Sequence, residues 1–99
     1  MKLVGRSDLL ELARGGAAAL REAVRALTAE LEEGQWQTSH QLRGAFPTAR
    51  FSGDDVVIDL DSRHCAVLAF SYAVGVAVVI FAGPSAQWAE TRASKAGKR

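Results

Sequence analysis

The chain has 99 residues, 48% of them hydrophobic and 23% charged, with a net charge of +1, which allows one domain with a modest core and no more. A single cysteine excludes an internal disulfide and fits a reducing compartment, and two histidines at distant positions offer no metal-ligand spacing. Residues 1–33 carry five basic and six acidic groups, residues 34–83 three and four, and residues 84–99 four and one, so the body is slightly acidic and shows no obvious basic patch for nucleic acid.

The opening MKLVGRSDLL lacks the continuous apolar run and cleavage site of a signal peptide. Lys2-Leu3-Val4 reads as a short strand. Ser7 is placed to cap a helix over about residues 8–14, with Asp8 and Glu11 in or near the first turn, where the helix dipole favours acids. Gly15-Gly16 breaks that helix. A second helix, from about Ala17 to Glu33, carries Leu20, Val24, Leu27 and Leu31 at spacings of four, three and four, one apolar stripe in need of a partner. Gly34 stops it, and Glu30, Glu32 and Glu33 oppose the dipole there, which predicts fraying.

Thr38-Ser39-His40-Gln41 has the form of a capping box, and the helix it opens ends before Phe46-Pro47. Trp36 and Phe46 are read as core-facing anchors of this segment. Ala49 to Phe51 is extended, Ser52-Gly53-Asp54-Asp55 a turn, Val56 to Leu60 a strand, and Asp61-Ser62 a second turn.

Residues 65–83, CAVLAFSYAVGVAVVIFAG, hold no charged side chain. One reading is a bilayer-spanning helix, which needs roughly 18–20 apolar residues, anchored by Trp88 and the basic tail. The other is two buried strands folded at Ala73-Val74-Gly75. Valines, Ile80, Phe70, Tyr72 and Phe81 are strand formers, and a sheet supplies the partner that the helical stripe needs. The hairpin is therefore expected, with a single-pass membrane protein as the remote alternative. Pro84 suits the first position of a closing helix to about Arg92. The expected fold is α+β, a small antiparallel sheet with a helical hairpin on one face in the order β-α-α-α-β-β-β-α. It forms one domain over residues 1–92, with a basic disordered tail over 93–99.

Order and residues together resemble the HigB-like toxins of bacterial toxin–antitoxin pairs, within the RelE/ParE superfamily. The resemblance is carried by MKLVGRSDLLEL, by WQTSHQLRGAFP from Trp36 to Pro47, by DDVVIDL before the hairpin, and by GVAVVIFAGPSAQW from Gly75 to Trp88. It implies a soluble, cytoplasmic, metal-independent endoribonuclease that needs no cofactor and cuts mRNA, typically on the ribosome. Its implied partner is a helix-turn-helix antitoxin; a homo-oligomer is a further expectation. Such chemistry needs a base for the ribose 2′-hydroxyl, cations for the developing charge and an acid for the leaving oxygen.

Several positions depart from the family pattern. Where the family has Thr-His-x-x-Tyr-Asp after F-x-G, this chain has Pro84-Ser85-Ala86-Gln87-Trp88-Ala89. The family's arginine early in the first long strand falls at Cys65, and another basic position falls at Ile80. Alternation places Cys65, Val67, Ala69 and Ser71 on the face that in the family looks toward RNA, where they offer a phosphate no charge.

The catalytic candidates that remain are His64, Arg63 and Ser85; the RNA- or partner-binding candidates are Arg43, Arg50, Gln87 and Trp88. Each has a plainer reading. His64 is also a loop histidine, Ser85 a first-turn residue, Trp88 a packing anchor, and the arginines solvated surface groups. Cys65, in an apolar strand, reads as a small core residue rather than a nucleophile. Two functions follow: a ribonuclease toxin with a rearranged site, or a HigB-like binding module that has lost catalysis and engages an antitoxin or other protein through its apolar sheet face.

Overall fold

The uncharged stretch folds into the two central strands of a sheet. The structure, a computed structural model, describes residues 1–97, in the order β1 (Lys2–Val4), α1 (Arg6–Arg14), α2 (Ala18–Glu33), α3 (Ser39–Ala45), β2 (Arg50–Ser52), β3 (Asp55–Asp59), β4 (His64–Ser71), β5 (Val76–Pro84) and α4 (Ser85–Gly97). Among these residues no helix is long and apolar enough to cross a membrane. The turn between β4 and β5 closes at Gly75, whose φ of +67° suits glycine, as expected from the sequence.

The fold is α+β. The five strands lie in the order β1-β5-β4-β3-β2. All neighbours are antiparallel except β1, which joins β5 in parallel through Lys2↔Val76, Leu3↔Ala77 and Val4↔Val78. The sheet is thus mixed rather than wholly antiparallel. Ala49–Phe51, read as merely extended, contributes a fifth strand because Arg50–Ser52 pairs with Asp55–Val57 across a turn with Gly53 at φ +59°.

One face of the sheet carries the helices. Leu20, Val24, Leu27 and Leu31 of α2 pack with Leu9 of α1, Leu42 of α3 and the inward strand residues Val56, Ile58, Ala66, Leu68, Ala77 and Val79. The apolar stripe on α2 therefore has the sheet as its partner, and burying each such side chain is worth roughly 1.5–3 kcal/mol. Trp36 is half-buried and meets Phe46 edge-on at 5.5 Å, which makes both anchors of α3.

The opposite, outer face has a second and smaller core. Here Trp88 of α4 covers Val57, Cys65 and Val67, with Phe81 beside it. Between the two faces β5 carries an irregularity: Val67 pairs with Phe81 and Leu68 with Val79, so Ile80 is an extra residue, a β-bulge. Val76 and Val78 face outward before it, and Phe81 and Gly83 after it.

Three local readings change. Helix α1 begins at Arg6 rather than beyond Ser7, because Gly5, with φ +85°, makes the turn and its carbonyl accepts from Asp8 N at 3.0 Å; no side chain caps the helix. The last turn of α2 is held by the Met1 ammonium, which donates to the carbonyls of Glu32 and Gly34, and by Arg6, 3.2 Å from Glu32. Positive charge there offsets the glutamates' unfavourable interaction with the dipole. Pro84 ends β5, and α4 starts at Ser85 and continues past Arg92 to Gly97; Lys98 and Arg99 of the expected tail lie outside the described residues.

Candidate functional site

Register brings the three catalytic candidates to one end of the sheet. His64 opens β4 opposite Pro84 of β5, and Ser85 N donates to the Arg63 carbonyl at 2.8 Å. The β3–β4 turn and the start of α4 are thereby clamped together.

Within the turn Asp61 is the organiser. Its Oδ1 accepts from Arg63 N and His64 N, each at 2.7 Å, and lies 3.0 Å from His64 Nδ1. The Arg63 amide above all, with the His64 ring and amide, holds the Asp61 carboxyl below its usual range, against a smaller opposing effect of burial. A histidine whose Nδ1 faces a carboxylate has a fixed ring orientation and keeps Nε2 for other work. This contact was not foreseen; the spacing Asp61-x-x-His64 is its only trace in the sequence.

Ser85 takes a different side. Its hydroxyl serves Cys65, which projects from β4 to the outer face, whereas His64 shares the inward parity of Ala66. Cys65 is fully buried, and burial pushes its thiol up, partly offset by the Ser85 hydroxyl. Proximity in the chain thus does not align Ser85 and His64 as a nucleophile–base pair.

The remaining candidates are dispersed. Arg50 projects from the edge strand β2 and pairs with Asp59 at 2.8 Å. Arg43, on α3, lies over the Phe51 ring at 4.3 Å. Gln87 is exposed on α4, while Trp88 is only 7% exposed and anchors α4 to the outer face, 5.5 Å from Phe81. Its Nε1 is buried without a hydrogen-bond partner among the described residues.

The outer face beyond α4 is mainly apolar, bordered by Lys2 of β1 opposite Val76 and Asp55 of β3 opposite Ala69. Val4, Val78 and Ile80 are 42%, 37% and 43% exposed, on the adjacent strands β1 and β5. Val76, Ala69 and Ser71 extend the same surface. Strands β4 and β5 contain no lysine or arginine.

The chain matches no protein-family model, and a search of curated proteins gives no match.

Proposed function

We propose that this chain is a HigB-like protein that acts in the cytoplasm as the binding member of a toxin–antitoxin-type pair, engaging a protein partner through the outer face of β1 and β5. The observation that carries this reading is the exposed apolar row Val4, Val78 and Ile80 on β1 and β5, two strands whose one cation is Lys2 at the start of β1, opposite Val76. Covering these three side chains gains about 1 kcal/mol each from apolar burial. A helix-turn-helix antitoxin, the partner that the resemblance implies, is the first one to test.

A second reading, a metal-independent endoribonuclease acting on mRNA, rests on the Asp61–His64 contact beside the exposed Arg63. Its difficulty is electrostatic. The transition state gathers negative charge, and the nearby Arg50 is already paired with Asp59.

The deciding experiment is induced expression in bacteria, with growth and mRNA integrity followed over the first minutes. Intact mRNA, together with capture of the co-expressed antitoxin by the wild type and not by Val78→Lys/Ile80→Lys, supports the binding module. Rapid mRNA cleavage that His64→Ala abolishes overturns it in favour of the ribonuclease.

A further inference from the structure

A second surface lies on the far side of the molecule, independent of the outer sheet face. Helices α1 and α2 form an antiparallel hairpin, and between them runs a groove of about 550 Å³. Its walls bear four arginines: Arg6 and Arg14 on α1, Arg21 and Arg25 on α2. The rest of its lining is mostly apolar, from Ala13, Val24, Ala29 and the buried Thr28, with Leu10 left 47% exposed along one side and Glu32 as its one acidic member.

The spacing is regular. Arg6, Leu10 and Arg14 follow one another at four-residue steps, so the two arginines of α1 stand about 12 Å apart with an apolar side chain between them. Arg21 and Arg25 repeat the step on α2, about 6 Å apart. Each helix therefore has two stripes, one apolar toward the sheet and one basic toward the groove.

The arginines are not locked. Arg6 pairs with Glu32, Arg14 with Glu11 and Arg25 with Glu22, all at 3.2 Å between exposed side chains. Such pairs are weak and exchange readily for another carboxylate. Arg21 has no ion pair among the described residues.

We infer that this groove docks an acidic amphipathic helix of a partner protein. Apolar side chains at one face of that helix would lie on Leu10, Ala13 and Val24, while carboxylates at four-residue spacing would meet the arginine rows on either side. Arginine forks suit carboxylates in two-point contact. Nucleic acid fits less well, because Leu10, Ala13, Val24 and Ala29 offer a base no hydrogen-bonding partner, and the one uncharged polar group of the lining, the Thr28 hydroxyl, is already donated to the Val24 carbonyl at 2.8 Å.

The test uses the full chain and a synthetic peptide of about 18 residues, with a leucine–alanine seam flanked by glutamates, beside the same peptide with glutamine for glutamate. Titration is followed by fluorescence anisotropy in about 0.15 M salt. The glutamate peptide is expected to bind, and Arg21→Glu/Arg25→Glu to weaken it by about tenfold or more, as truncated charge contacts do. Leu10→Asp, at an exposed position, should weaken it independently. Both variants are expected to keep the wild-type circular dichroism spectrum. Equal binding of the two peptides, indifference to both variants, or no binding overturns the proposal. So does displacement of the peptide by single-stranded RNA that Arg21→Glu/Arg25→Glu abolishes, or a dimer of the chain itself lost in the same variant. Loss of the outer-face interaction in Val78→Lys/Ile80→Lys leaves this result untouched, since the two surfaces lie on opposite sides of the sheet.

Discussion

His64 Nδ1 faces Asp61 Oδ1 at 3.0 Å, and the same oxygen closes the turn that leads into β4 by accepting two backbone N–H groups. The contact is a turn-forming device, and its contribution to the fold can be read through its pH dependence.

Asp61 is held ionised by these donors, so its folded pKa lies below the ordinary 3.8. A lowered carboxyl pKa stabilises the fold above the unfolded value, and that stabilisation is lost as pH falls through the folded value. Asp61→Ala is therefore expected to lower the urea midpoint near neutral pH, and the difference from wild type to be smaller at about pH 2.5, as acid neutralises the carboxyl. An equal difference at both pH values would assign the loss to geometry instead.

Cys65 runs in the opposite direction. Burial raises the thiol above its ordinary 9.0, so the neutral form is favoured in the fold; the stabilisation is present below the unfolded value and lost as pH rises through the folded one. At mildly alkaline pH a thiol reagent should label the native protein more than about a hundredfold more slowly than the urea-unfolded chain, because reaction requires opening. Rapid native labelling would show that α4 leaves the sheet readily.

Trp88 holds α4 down. Trp88→Ala should cost about 3–5 kcal/mol by urea unfolding, the usual loss for a large buried aromatic. Trp88→Phe should cost much less, because it removes a buried N–H without a partner along with part of the ring. A phenylalanine variant as unstable as the alanine one would mean that the indole N–H is satisfied in solution.

Gly5 and Gly53 both have positive φ, at +85° and +59°, but their surroundings differ. A Cβ on Gly5 meets Val79 Cβ and the Val79 carbonyl at 3.1 Å, while one on Gly53 meets nothing within 4 Å. Gly53→Ala should cost about 1–2 kcal/mol for the left-handed conformation alone. Gly5→Ala should cost more, since α1 must also move away from β5, and comparison of their urea midpoints reads the difference.

Much of the fold was legible in local chemistry. The β-branched and aromatic residues around Gly75 identified a hairpin where hydropathy alone allowed a membrane helix, and the four-three-four spacing on α2 identified its buried side. Thr38 caps α3 as its sequence indicated, accepting from Gln41 N at 3.2 Å. Gln41 departs slightly from the expected box, as its side chain accepts from Gln37 N. Illegible were the relationships set by tertiary structure. The parallel pairing of β1 on β5 spans over seventy residues of chain and leaves no local mark. Ser7 is a good capping residue, yet the close approach of Gly5 to Val79 sets the start of α1 two residues earlier than local preference would. Among site residues, alternation correctly placed Cys65 outward. It could not show that Asp61 orients His64 or that Asp59 engages Arg50, because both partners come from the turn or strand across. The arginine rows of the groove were present in the spacing of residues 6, 14, 21 and 25, but a charged stripe on a helix reads as solvated until a second helix is laid beside it.

The extra residue at Ile80 has a consequence for length variation. Side chains in a strand alternate, so removing one residue of β5 before Ile80 while the bulge stays turns every later side chain through the sheet, moving Phe81 to the helix side and Ala82 toward α4. Removing Ile80 itself does the opposite: Val79 and Phe81 become ordinary neighbours, and both cores keep their members. A chain one residue shorter at this point is the deletion variant that this architecture accommodates, and any positional comparison carried through β5 must allow a gap there.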